Sequence, residues 1–210
     1  MRKAILLIHM LVFILVCLWI IQIINGQIPY IDQITRSFVS QFAGSNVHMI
    51  FSWITNFGGK NFVIPFTITM AIILFFMYKN VIPSLFFAFG TLGAHLLNEL
   101  IKEFVERERP TISIPLGAEG FSFPSGHAMN AIVCYGLVTY FLTRKIATKS
   151  IRTWIWIFTS IVIFLIGISR FIVNVHYLTD IIAGYFFGSV YVFCLLFIFH
   201  KIYYKRKVNS

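Results

Sequence analysis

Long apolar stretches separated by short polar intervals set the pattern of this chain, and six of them stand out: residues 4–24, 61–78, 81–101, 127–143, 153–173 and 177–199. Each meets or approaches the roughly 20 apolar residues that carry an α-helix across about 30 Å of hydrocarbon. The pattern therefore predicts an all-α membrane protein built as a six-transmembrane helix bundle. The first stretch, "AILLIHMLVFILVCLWIIQII", follows Arg2 and Lys3 as a signal peptide would. Its apolar run is longer than a signal core and has no evident small-residue cleavage site, so the expectation is a retained anchor. No fixed-period repeat, low-complexity tract or long linker divides the chain, which predicts a single integral-membrane domain over residues 1–210.

Two of the polar intervals carry more than a turn. In "YIDQITRSFVSQF" the apolar residues Ile31, Ile34, Phe38 and Phe42 recur at helical spacing, with Asp32, Gln33, Arg36 and Ser37 elsewhere around the helix. The segment 28–58 is thus expected to lie amphipathically on the outer leaflet, either as a passive cover or as a lid that guides lipid entry. The interval 102–126 is rich in acids and contains Pro110 and Pro115. It continues a stripe of His95, Asn98, Glu99, Lys102, Glu106 and Arg109 at three- and four-residue spacing. Ionisable groups near a membrane helix end face the bundle interior or a watery cavity, because lipid exposure is costly; His95 and Asn98 also read as interhelical hydrogen-bond partners.

Composition agrees with the pattern and adds an orientation. The chain has 210 residues, 59% of them hydrophobic and 11% charged, against about 25% charged in soluble domains, and its mean hydropathy is +0.85. With a cytoplasmic N-terminus, eleven of the seventeen Lys and Arg fall inside and all seven acids fall outside or at the outer helix ends. That positive-inside bias predicts both termini in the cytoplasm. The formal net charge of +10 is then a topology signal, and no nucleic-acid partner is expected. Cys17, Cys134 and Cys194 all fall within apolar stretches, where they are expected as small buried hydrophobes, with no disulfide and no metal site.

This topology brings three polar clusters to one outer face: "KEFVERERP", "PSGH" and "SRFIVNVHYLTD". Lys102, Arg109 and Arg170 supply three cations, two of them guanidiniums whose planar forks suit phosphate oxygens. The backbone around Ser125, Gly126 and His127, at a helix start, adds N–H donors and a favourable dipole for an anion. Gly126 lets backbone approach a ligand closely. His176 and Asp180, four apart on one helix, share a face, so the carboxylate can hold one imidazole nitrogen protonated and leave the other as a nucleophile. His127, from another helix, can protonate the leaving oxygen and later take a proton from water. The site's cations would repel the divalent ions of a two-metal phosphatase, so no metal or cofactor is expected. Glu103, Glu106 and Glu108 are expected to orient the neighbouring arginines or meet a head group.

Lys102-x6-Arg109-Pro110, Pro124-Ser125-Gly126-His127 and Ser169-Arg170-x5-His176-x3-Asp180 together resemble the three-part signature of the type 2 phosphatidic acid phosphatase superfamily, over a motif region of residues 102–180. The local wording is similar to the small bacterial PgpB-type membrane lipid phosphatases. The resemblance implies His176 as nucleophile, Asp180 as its orienting partner and His127 as general acid/base. It assigns phosphate binding to Lys102, Arg109, Ser125, Gly126 and Arg170. It further implies metal-independent dephosphorylation of a lipid phosphate or diphosphate at the extracytoplasmic face of the bacterial cell membrane, without a cofactor. Phosphatidylglycerophosphate, undecaprenyl diphosphate and phosphatidic acid are the candidate substrates. A phosphotransferase using the same phosphoenzyme and a non-catalytic lipid or anion transporter remain open alternatives.

Overall fold

A computed structural model describes residues 2–110 and 120–208; Pro115 and Glu119 lie outside the described residues. Eight α-helices follow in order: α1 (Arg2–Ile24), α2 (Tyr30–Ser40), α3 (Asn46–Ile54), α4 (Lys60–Tyr78), α5 (Val81–Val105), α6 (Gly126–Thr143), α7 (Lys149–Ile172) and α8 (Leu178–Val208). A 3-10 turn, Thr55–Gly58, joins α3 to α4, and no strand occurs among the described residues.

Five helices, α1, α4, α5, α7 and α8, are long and apolar enough to cross a membrane. The sixth expected span, α6, is not among them, and its surroundings explain why. Its sequence mixes Asn130, Tyr135, Thr139, Tyr140 and Thr143 with apolar residues, yet Ala128, Met129, Ala131, Val133, Cys134, Leu137, Val138 and Phe141 are all buried. A helix sheathed by other helices meets protein instead of lipid and needs less apolar surface.

Around α6, Met129, Val133, Leu137 and Phe141 pack with Phe87, Ala94, Leu74 and Phe199 in the main core. A smaller cluster sets α1 against α8 through Val16, Ile23, Ala183 and Phe186. Large apolar side chains such as Leu11, Ile68, Phe89, Phe158 and Phe193 line the outside, more than half exposed, as a bilayer-facing surface requires.

Small residues decide how closely α6 and α8 approach, since van der Waals packing drives helix association in lipid. A Cβ added at Gly184 would lie 2.6 Å from the Ser125 carbonyl oxygen, and one at Gly188 3.0 Å from that of Met129. The pair forms a small-x3-small seam along α8. Gly184→Ala is expected to push α6 away and destabilise the protein by about 1–3 kcal/mol, as overpacking does. Thermal unfolding in detergent checks this, and an unchanged midpoint would refute the seam.

The connection between α1 and α4 is helical, as the spacing predicts, and it is amphipathic in a particular sense. Ile34 and Phe38 of α2 point outward at 52% and 51% exposure, whereas Asp32 and Val39 are buried against the bundle. The exposed Tyr30, Met49 and Trp53 extend the same outward face, with aromatic rings suited to a membrane–water interface. The cysteines divide: Cys134 is buried, Cys17 half-buried and Cys194 exposed, all free. The expectation of three buried thiols therefore holds for one, because the outer side of α8 faces away from the bundle.

Candidate active site

Three local devices bring the polar residues to one end of the bundle. Glu106 ends α5 in the left-handed region at φ 51°, its N–H donating to Lys102 O at 2.8 Å. The helix therefore stops before the Glu106–Arg109 part of the expected stripe, and the chain turns so that Arg107 points inward. Of that stripe, Asn98 is buried while His95 and Glu99 are exposed. Asn98 Nδ2 donates to Pro124 O at 3.2 Å, just before α6, and to Met129 Sδ of α6 at 3.8 Å, the interhelical role its position suggests.

The second device is the start of α6. Ser125 is its N-cap, fully buried, with its hydroxyl accepting from Ala128 N at 3.5 Å. The Ser125 N–H donates to Asp180 O at 2.9 Å, which ties α6 to α8. A Cβ on Gly126 would meet Asn98 Oδ1 at 2.8 Å. A side chain here would have to displace the Asn98 amide, so packing against α5 favours glycine whatever ligand approaches it.

The third device is the α7–α8 turn. Asn174 adopts φ 58°, a conformation Asn tolerates better than most residues. The Arg170 carbonyl accepts from both Val175 N at 3.1 Å and His176 N at 3.2 Å. This turn folds His176 back beside Arg170.

His176 lies at the centre and is buried. Arg109 Nη1 approaches its Nε2 at 3.2 Å. Because a guanidinium can only donate, this contact leaves Nε2 unprotonated and puts the ring proton on Nδ1. Nδ1 lies 3.4 Å from Asp180 Oδ2 and 3.3 Å from Ser122 Oγ. Ser122 Oγ in turn donates to Asp180 Oδ2 at 2.5 Å. Asp180 is fully buried and also takes Tyr177 N on Oδ2 at 2.8 Å and Arg107 Nη1 on Oδ1 at 2.5 Å.

The cations distribute unevenly. Arg109 is anchored by its own donors to Gly120 O at 2.9 Å, Val175 O at 2.9 Å and Phe121 O at 3.3 Å. Burial lowers its pKa, with the Asp180 and Glu99 charges opposing. Arg170 donates to Thr55 Oγ1 of the 3-10 turn at 2.9 Å, and its buried Nε has no hydrogen-bond partner among the described residues. Lys102 pairs with Glu99 at 2.8 Å. His127 lies within the electrostatic reach of Arg170, His176, Lys102 and Arg109. Its ring packs on the same turn, where a Cβ at Gly58 would come within 2.8 Å of His127 Cδ2.

All eight expected residues therefore gather at this end, with Ser125 engaged as a cap. Five further residues join them that the sequence did not single out: Asp32, Thr55, Arg107, Ser122 and Thr179. No spacing rule marks them, since Asp32 and Thr55 arrive from a remote segment. Arg107 does not use the adjacent Glu103, Glu106 and Glu108, which are exposed. It turns inward to Asp32, Thr179 and Asp180.

Burial pushes the His176 pKa from 6.5 down to about 4, with Arg109 and Arg170 adding to the effect and Asp180 opposing it. The folded imidazole thus binds a proton less readily than the unfolded one. Its contribution to stability is fully present above about pH 6.5 and is lost as pH falls toward about 4. Thermal unfolding between pH 7.5 and 4.5 should show the wild type losing ground to His176→Gln on acidification; parallel curves would contradict it.

With this geometry in place, comparison with known proteins decides the family. The PAP2 superfamily profile matches residues 83–207. The chain belongs to the PAP2 superfamily. It is similar to phosphatidylglycerophosphatase B of Bacillus subtilis (strain 168), 34% identical over 146 residues that cover 69% of this chain and 71% of that one. It is also similar to an undecaprenyl-diphosphatase of Sulfolobus acidocaldarius, 31% identical over 156 residues, 71% and 68% of the two chains. The crystal structure of a transmembrane PAP2-type phosphatidylglycerolphosphate phosphatase from Bacillus subtilis superposes with a TM-score of 0.77 at 26% identity, covering 90% of this PAP2 chain and 96% of that one.

Proposed function

We propose that this PAP2 enzyme, a membrane lipid phosphatase, hydrolyses phosphatidylglycerophosphate through a phosphohistidine on His176. The observation that carries this reading is the His176 Nε2 directed at Arg109, with Nδ1 backed by Ser122 and Asp180. A buried, unprotonated nitrogen faces a cation suited to a phosphoryl oxygen.

In the first step the Nε2–P bond forms as the P–O bond to the lipid breaks, and His127 gives its proton to the leaving oxygen. In the second, His127 takes a proton from water, whose oxygen attacks phosphorus, and the N–P bond breaks to release phosphate. Lys102, Arg109 and Arg170 hold the phosphoryl oxygens. The amides of Gly126 and His127 lie at the α6 N-terminus, where the helix dipole favours an anion. The reaction needs no metal. In this reading α6 is the sixth span and both termini are cytoplasmic, so that this end of the bundle faces the extracytoplasmic side of the bacterial cell membrane, with one domain serving the whole chain.

Phosphate release from purified protein tests the reading. The panel compares phosphatidylglycerophosphate, undecaprenyl diphosphate and phosphatidic acid, each with and without EDTA. Preferred turnover of the first, insensitive to EDTA, is expected; preference for another lipid would reassign the substrate, and loss with EDTA would reject the mechanism. A phosphorylated organic acceptor in place of free phosphate would instead select a transferase.

A further inference from the structure

The proposed chemistry leaves a group of buried charges unused. Asp32 sits on α2, the helix whose Ile34 and Phe38 face outward. A carboxylate on a helix lying at a membrane surface ordinarily turns to water, yet Asp32 is 1% exposed. Its Oδ2 accepts from Arg107 Nη2 at 2.7 Å and from Thr179 Oγ1 at 2.6 Å. Its Oδ1 accepts from Thr179 N at 3.0 Å.

Arg107 divides its fork between two carboxylates, Asp32 and Asp180, and also donates to Thr179 Oγ1 at 2.8 Å. Its guanidinium lies 3.8 Å from the centroid of the Tyr177 ring. One cation thus serves two buried anions, and the cluster keeps a net negative charge beside His176. Were Arg107 paired with Asp180 alone, that charge would be cancelled, and the carboxylate would stabilise a forming imidazolium less. Sharing also anchors the guanidinium that meets Asp180, because Asp32 holds Nη2 while Nη1 spans Thr179 Oγ1 and Asp180 Oδ1.

We propose that Asp32, delivered by the interfacial helix α2, is a positioning residue for the His176–Asp180 pair and acts through Arg107. Asp32 touches neither the nucleophile nor the phosphoryl group. It keeps Arg107 shared, so that Asp180 holds its register and the cluster its negative field as His176 gains charge on forming its bond to phosphorus. The inference rests on the phosphohistidine reading above.

The test is Asp32→Asn, which removes the charge but retains an oxygen for the Thr179 N–H. On a lipid phosphate that the wild type hydrolyses, kcat is expected to fall about tenfold to a hundredfold, the scale of a misplaced catalytic group. KM should stay within about twofold, since the lost interaction matters in the transition state and not in substrate binding. In an Arg107→Gln background the same substitution should cost little more, because both act on one contact. Unchanged kcat in Asp32→Asn, or equal losses in both backgrounds, would overturn the proposal. Should Asp32→Asn not fold, Thr179→Ala, which removes the hydroxyl bridging Asp32 and Arg107, should show the same kcat-selective loss, and unchanged kcat there would overturn it too. A wild type inert on every lipid phosphate sinks the underlying reading before any variant is made. An active wild type with an indifferent Asp32→Asn sinks this inference alone.

Discussion

His176→Ala is expected to lower phosphate release by at least about 10⁴-fold, since under the proposed phosphohistidine mechanism losing the covalent nucleophile leaves only binding and electrostatic contributions. The protein should remain folded. Alanine deletes a buried ring whose side-chain contacts are Arg109, Ser122 and Asp180, and each keeps other partners: Arg109 its three carbonyls, Asp180 its bonds from Arg107, Ser122 and Tyr177. The deciding measurement is acid-labile, base-stable label on the protein after rapid quenching with a labelled lipid phosphate. Wild type should carry it and His176→Ala should not. His127→Asn sharpens the assignment, because it removes the proposed proton donor while sparing the proposed nucleophile. With a substrate whose leaving group needs no proton, that variant should accumulate label as water attack slows. Label retained in His176→Ala would move the nucleophile elsewhere, whatever the overall rate.

Much of this was legible in the chain itself. Helix extents follow from apolar runs, and "PSGH", "SR" and "H-x3-D" lie at helix ends, so simple topology gathers them. The details that escaped the sequence depend on where a side chain turns once a helix stops. Glu106 in the left-handed region ends α5 early and converts a regular stripe into a loop, which sends Arg107 inward and leaves three glutamates outside. Asp32 looked like part of a solvated face because helical spacing fixes only relative angles. Which side of α2 meets the bundle is set by a partner, Arg107, far away in sequence. Gly126 reads as room for a ligand, yet the Asn98 amide of α5 already crowds that position. Spacing identifies residues that share an element; it is silent on contacts made between elements.

The largest stability effect should come from Arg107, not from the cations nearer the substrate. Arg107→Met leaves Asp32 and Asp180 buried without the cation that bridges them, and breaking a buried pair on one side costs about 3–5 kcal/mol. For a chain of this size that corresponds to a loss on the order of 10 °C in the unfolding midpoint. Lys102→Ala is the contrast. Its partner Glu99 is 48% exposed, and an ion pair open to solvent contributes about 0–1 kcal/mol. The lysine variant should therefore unfold close to wild type while binding substrate poorly. Arg107→Lys should not restore the loss, since an ammonium is a point charge and cannot present a planar fork to two carboxylates and a hydroxyl at once. Recovery of stability in the lysine variant would mean that charge alone holds the cluster, and the geometric argument for Asp180 would fail with it.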